Sequence, residues 1–166
     1  MLSNFSVFLK EKNQLNKNTY YFRFNLIEPK EINFIPGQYV ILKINEKTRL
    51  YSIASSIDQK NSFDLLIKII PQGLASNYFL NLNINDKINF LGPAGIFKLK
   101  KNSNKKIFLS VSTGIAPFLS MIKSKNYNFE NDYFLFWGLK YKEDVYFLEK
   151  LKEIKNNSNK KFNFKI

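Results

Sequence analysis

Three short segments carry groups that could grip phosphate. Arg49-Leu50-Tyr51-Ser52 sits in a strand-like stretch, and alternation puts Arg49 and Tyr51 on one face. A guanidinium fork matches a phosphate in two parallel bonds. A tyrosine beside it offers an aromatic face to a flat ring, and the Ser52 hydroxyl can bond a ring nitrogen. An ordinary strand could carry the same four residues. Gly73-Leu74-Ala75-Ser76 opens a predicted helix over 74–82. A helix start presents unpaired N–H groups to an anion, glycine lets the backbone come close, and Ser76 adds a hydroxyl. A plain helix start reads the same way. Thr113-Gly114-Ile115-Ala116-Pro117 follows an apolar strand, Ile107 to Val111, and leads into a helix. Gly114 permits a tight turn, and Pro117 is tolerated in a first helical turn. This segment is the most specific of the three, because Gly, Ala and Pro fall together where a helix must begin. A phosphate-gripping motif in each half suits two nucleotide-type ligands meeting at a cleft, and electrons passing between them.

The elements around these motifs change character near residue 100. Before it the chain reads as strands: Phe5 to Leu9, Tyr20 to Ile27, Gln38 to Ile44 after the turn Pro36-Gly37, Phe63 to Ile70, and Lys87 to Leu91. Arg49-Leu50-Tyr51-Ser52 follows a hairpin-like turn near Glu46-Lys47. Short strands spaced by turn residues predict an antiparallel barrel or sandwich. Residues 101–106 are polar and charged and read as a linker. After it come a strand at Ile107 to Val111, a helix over 115–123, a strand at Tyr133 to Trp137, an amphipathic helix over 143–155 and a strand starting at Phe162. In the second of these helices Phe147, Leu148, Leu151 and Ile154 share a face. Glu143 and Asp144 at its start and Lys152 and Lys155 at its end would match the helix dipole. Strand–helix–strand–helix–strand is the pattern of a parallel, nucleotide-binding sheet.

Composition removes whole classes of chemistry. The 166 residues include neither cysteine nor histidine. Disulfides, thiolate nucleophiles, cysteine-held iron–sulfur clusters, imidazole metal sites and Ser-His hydrolysis are thereby excluded from this sequence. No metal site is expected. Hydrophobic residues reach 45% and aromatics 16%, enough for a packed core. No apolar run approaches the roughly 18 residues of a membrane span, and no signal peptide is apparent, so a cytoplasmic location is the expectation. The net charge of +13 suits an acidic partner, but the lysines are scattered as on a solvated surface. Only Lys98 to Lys101 with Lys105 and Lys106 is dense enough to form a patch. Nucleic-acid binding would rest on charge alone and is not expected.

Taken in order, the motifs resemble the ferredoxin–NADP reductase family of flavoprotein reductases. The likeness extends to Phe34-Ile35-Pro36-Gly37-Gln38-Tyr39-Val40, to Arg49-Leu50-Tyr51-Ser52-Ile53-Ala54-Ser55 and to Gly92-Pro93-Ala94-Gly95-Ile96-Phe97. It continues through Phe136-Trp137-Gly138-Leu139-Lys140 and Glu143-Asp144-Val145-Tyr146, and so covers nearly the whole chain. The resemblance implies a Greek-key FAD-binding β-barrel over 1–100, the linker, and an incomplete Rossmann-like α/β NAD(P)-binding domain over 107–166.

It also implies roles. Arg49 would pair with the FAD pyrophosphate, Tyr51 would stack on the isoalloxazine, and Ser52, as the catalytic residue, would lie near flavin N5. Leu50 belongs to the same flavin motif. Gly73, Leu74, Ala75 and Ser76 would bond the same pyrophosphate. Thr113, Gly114, Ile115, Ala116 and Pro117 would receive that of NADPH or NADH, and Gly138, Lys140 and Asp144 would lie beside its adenosine. Hydride would pass from nicotinamide to flavin, and electrons would leave for an acidic redox protein, a ferredoxin or flavodoxin, or for an oxygenase. The cofactors carry this chemistry, so a chain without histidine can perform it. Two other readings are an electron-transfer subunit of a larger complex and a flavin-binding remnant without turnover. Ser112 stands where the family has glycine, and Lys140 where arginine is common. The family's dinucleotide domain runs on past the segments matched here, so a fragment or a degenerate member is expected.

Overall fold

The computed structural model describes residues 2–100, 105–124, 132–157 and 161–166. Two sheets organise them. Six antiparallel strands form the first: β1 (Ser3–Asn16), β2 (Thr19–Glu28), β3 (Tyr39–Ile44), β4 (Lys47–Ser52), β5 (Ser62–Lys68) and β6 (Lys87–Ala94). Their order is β4-β3-β6-β1-β2-β5, so β6 returns between β3 and β1 in Greek-key fashion. A bridge between Ile53 and Leu65 joins the two ends of the sheet, next to an Ala54 N–H bond to the Asp64 carbonyl at 2.8 Å. The sheet is thereby curled into a barrel. Helix α1 (Leu74–Asn81) lies between β5 and β6 and contributes Phe79 to the barrel core.

That core is aromatic. Phe24 meets Phe63 and Phe90 at ring distances of 5.7 and 5.2 Å, and Phe22 meets Phe79 at 5.1 Å. Alternation explains most of the burial: Val40, Leu42 and Ile44 of β3 point in, and Lys43 points out. Strand β5 breaks the rule, because six of its seven residues are buried. Phe63, Leu65 and Ile67 fill the barrel, while Leu66 joins Ala54 in a second core shared with the α/β part. A strand covered on both faces shows no alternation in its sequence.

The second sheet is parallel, in the order β7-β8-β9, from β7 (Lys106–Val111), β8 (Tyr133–Gly138) and β9 (Phe162–Lys165). Helices α2 (Ala116–Lys123) and α3 (Leu148–Asn157) both add to the core that holds Phe108, Tyr133, Leu135, Trp137 and Phe162. Ile107, Leu109, Val111 and Phe136 carry the alternate positions and are exposed. No described helix is long and apolar enough to cross a membrane.

Three elements differ from the sequence reading. β1 runs to Asn16 rather than ending at Leu9, because its polar second half is held by pairing with β2 rather than by burial. The helix expected over 143–155 starts only at Leu148. Phe147 takes a left-handed φ of 61°, which no helix can run through, as the adjacent Tyr146 packs edge-on against Trp137 at 4.8 Å. Glu143 and Asp144 therefore sit in a separate 3₁₀ turn, and Glu149 is the first-turn acid of α3. Of the linker stretch, residues 101–104 lie outside the described residues, and Lys106 already opens β7.

Candidate functional site

The three segments whose groups could grip phosphate line one cleft of about 510 Å³ between the barrel and the parallel sheet. Arg49, Leu50, Tyr51 and Ser52 enter from β4, Gly73, Leu74, Ala75 and Ser76 from the start of α1, and Thr113, Gly114, Ala116 and Pro117 from the start of α2. The hairpin β3–β4 turns through Asn45 at a φ of 54°, which sets Val40 opposite Tyr51 and Leu42 opposite Arg49. Arg49 and Tyr51 thus share one face, as alternation requires.

The Arg49 side chain is exposed, and its Nη1 donates to the neighbouring Thr48 carbonyl at 2.8 Å. The remaining donors of the guanidinium fork can serve an anion. Tyr51 is half-buried, with its ring edge-on to Phe79 at 5.1 Å, so its plane is fixed by the barrel core. Burial pushes its phenol above the ordinary value, and the nearby Arg49 charge pulls the other way. The two side chains therefore sense each other across one strand position.

The start of α1 lacks a side-chain cap, which leaves first-turn N–H groups to the cleft. At α2 the Ala116 N–H is taken by the Thr113 carbonyl and Pro117 has no N–H, so the preceding turn rather than the first helical turn faces the cleft. Ser76 is buried, and its Oγ accepts the Ile70 N–H at 2.8 Å, leaving its own O–H to donate. A methyl on Gly73 would come within 2.9 Å of that Oγ and 3.1 Å of the Ile70 carbonyl, so a side chain there would require both neighbours to give way. Gly114 differs: a Cβ there would meet nothing within 4 Å and would stand in open space beside the cleft. Lys68, which the sequence reading missed, lines the cleft as well. Its signal was a basic residue closing an apolar strand just before Pro71-Gln72-Gly73. With Arg49 and Lys68 and no carboxylate among the described residues lining it, the cleft favours a polyanion.

Four sequence-selected residues lie elsewhere. Ile115 is fully buried in the second core. Gly138 ends β8 opposite Val111, at the carboxyl edge of the parallel sheet. Lys140 is exposed, with its ammonium over the Tyr141 ring at 4.9 Å, and the Asp144 carbonyl accepts from Asn16 Nδ2 at 3.0 Å. None of the last three lines the cleft.

Ser112, where β7 gives way to the turn, holds a left-handed φ of 51°. Its carbonyl is gripped by the indole N–H of buried Trp137 at 2.8 Å. An L-residue there costs about 1–2 kcal/mol, against about 0.4–1 kcal/mol for the extra unfolded freedom of glycine. Ser112→Gly is therefore expected to raise the melting temperature by about 1–4 °C. A lower melting temperature would mean that the Ser112 side chain holds the turn.

Comparison with known proteins gives the cleft its context. A family model described as an oxidoreductase FAD-binding domain matches residues 6–99, and an oxidoreductase NAD-binding domain matches 108–166. The chain belongs to the ferredoxin–NADP reductase family. It is 37% identical over 154 residues to NADH-cytochrome b5 reductase 1 of Dictyostelium discoideum, covering 88% of this chain and 54% of that one. It is 30% identical over 142 residues to the toluate 1,2-dioxygenase electron transfer component of Pseudomonas putida, covering 83% and 42%. The ferredoxin-NADP+ reductase of Plasmodium falciparum superposes with a TM-score of 0.81 at 23% identity, over 98% of this chain and 68% of that one. The chain spans about half of the length of the curated relatives it matches. FAD and a nicotinamide dinucleotide are the cofactors of the two matched domains. The fit is physical as well: an exposed arginine fork, the uncapped start of α1 and an open glycine face one cleft that no described carboxylate lines.

Proposed function

We propose that this chain binds FAD and NAD(P)H in the cleft and serves an NAD(P)H-dependent reductase that feeds electrons to a ferredoxin, a flavodoxin or an oxygenase. The observation that carries the reading is the convergence of Arg49, the α1 start and the α2 start on one cation-lined cleft. The division of labour follows the elements, with residues 1–100 holding FAD, 107–166 holding the dinucleotide and 101–106 linking them. Arg49 and the first-turn amides of α1 hold the FAD pyrophosphate, and Lys68 adds charge to the same wall. Tyr51 presents its ring face to the isoalloxazine, and Ser52 offers a hydroxyl beside it. The turn Thr113-Gly114 and the start of α2 take the dinucleotide pyrophosphate, with Gly138, Lys140 and Asp144 toward its adenosine. The flavin, when bound, accepts hydride and releases electrons, and the protein supplies alignment.

A second reading draws support from the Pseudomonas putida relative, an electron transfer component. On that reading the chain works as the flavin-binding subunit of a larger assembly and not as a free-standing enzyme. Absorption spectroscopy tests both. Purified protein with FAD is expected to be yellow and to bleach under anaerobic NADH or NADPH. Yellow protein that does not bleach would restrict the function to flavin binding. Protein that cannot be loaded with FAD would overturn the assignment.

A further inference from the structure

Helix α2 touches the barrel at its far end in a way that the cofactor contacts do not require. The 3₁₀ turn Ser112–Ile115 that leads into it carries Thr113 and Gly114 to the cleft, and the eight residues of the helix span about 12 Å. At the C-terminal end Ser124, 1% exposed, accepts the Ile57 N–H on its Oγ at 3.1 Å and donates to the Ser120 carbonyl at 2.7 Å. One residue earlier, the Lys123 ammonium reaches the Ala54 carbonyl at 3.5 Å and lies 5.7 Å from the Phe147 ring centre. Ala54 and Ile57 belong to the loop that leaves β4 directly after Tyr51 and Ser52. That loop is itself fastened: the Ile53 N–H donates to the Gln38 carbonyl at 3.0 Å, and Ser55 Oγ accepts the Asp64 N–H at 3.2 Å.

We infer that Ser124 and Lys123 are positioning residues, which tie α2 to the 54–57 loop and so set the distance between the Tyr51-Ser52 wall and the Gly114 turn. The inference deepens the proposed function and rests on it for the identity of the two ligands. Two fixed points on one short helix make the helix a rod, so a shift at its buried end is transmitted to the cleft end. Both contacts are partly buried, and the Ser124 hydroxyl is itself buried, where a lost partner leaves a group poorly satisfied. Burial also pushes the Lys123 ammonium below the ordinary lysine value, with Asp64 opposing and Lys150 and Arg23 reinforcing that shift.

Ser124→Ala and Lys123→Met test it, with Ser120→Ala as the control. Ser120 is a fully buried serine on the same helix, and its Oγ has no hydrogen-bond partner among the described residues. The first readout uses protein without cofactor: amide hydrogen exchange at Thr113, Gly114 and Ile115. The two variants are expected to exchange about tenfold faster there than wild type, and the control at the wild-type rate. The second readout is single-turnover bleaching of FAD-loaded protein by NADH. Its limiting rate is expected to fall about tenfold, with FAD affinity unchanged, because misplaced partners lose alignment before they lose binding. Unchanged exchange in both variants, or equal acceleration in the control, would overturn the brace. If wild type itself fails to bleach, the proposed function fails, and the exchange measurement still decides the brace.

Discussion

Arg49→Ala is expected to weaken FAD binding by about 10- to 100-fold and to leave the melting temperature almost unchanged. The magnitude follows from what is lost: a charge-assisted bond to phosphate contributes about 1.5–3 kcal/mol, and about 1.4 kcal/mol is a factor of ten. The neutrality of the fold follows from where Arg49 sits. Its side chain is exposed, and its Nη1 donates to the adjacent Thr48 carbonyl. Surface changes of that kind stay within about 0.5 kcal/mol. Arg23 makes the contrast. It grips buried Asp64 with two bonds at 2.8 and 3.2 Å, so its removal would act on stability rather than on a ligand. Titration of apoprotein with FAD, followed by flavin fluorescence, measures the first effect. Tyr51→Ala should show the opposite balance, a larger change in the bound flavin spectrum than Arg49→Ala gives, because a ring contact tunes the chromophore and a phosphate contact does not. Unchanged FAD affinity in Arg49→Ala would remove the pyrophosphate role from this residue.

The cleft residues legible in the sequence are those that a backbone signal or a charge marks locally. Gly73, Gly114 and Pro117 announce helix starts in any context, and Arg49 next to Tyr51 is readable from alternation alone. Lys68 escaped because nothing local marks it. It joins the cleft only because β5 and β4 are brought together by closure of the barrel, a contact between distant parts of the chain. The same holds for α3. Helical spacing of Phe147, Leu148, Leu151 and Ile154 suggested one helix. The pull of Tyr146 toward Trp137 breaks it at a residue the periodicity could not single out. Strand β7 shows the converse. It reads as an apolar strand, and in the structure Ile107, Leu109 and Val111 are exposed, because a sequence does not record which face its neighbours cover. Ser112 was readable as a departure from the family pattern. Its left-handed backbone gives the physical meaning of that departure.

Gly114→Leu separates ligand space from fold more cleanly than any other substitution in the cleft. It is expected to weaken NADH or NADPH binding by about 10- to 100-fold with FAD affinity and stability nearly unchanged. Gly73 is less suited to this purpose. A side chain there presses on the Ser76 hydroxyl and on the Ile70 carbonyl, so its effects on fold and on ligand would be mixed. At Gly114 a Cβ meets no atom within 4 Å, and the residue lies in the 3₁₀ turn Ser112–Ile115 without a positive φ. Glycine is therefore not demanded by the backbone or by packing at this position. What remains is the volume beside it, which lies on the cleft. A leucine side chain in that volume must be displaced by the dinucleotide or must displace it, and overpacking of this order costs about 1–3 kcal/mol. Calorimetric titration of FAD-loaded protein with each nucleotide reads the effect directly, and the melting temperature supplies the fold control. Weak nucleotide binding at a wild-type melting temperature would mark the space beside Gly114 as ligand space. Wild-type affinity would mean that the dinucleotide pyrophosphate sits away from this turn, and the helix start of α2 would then be structural only.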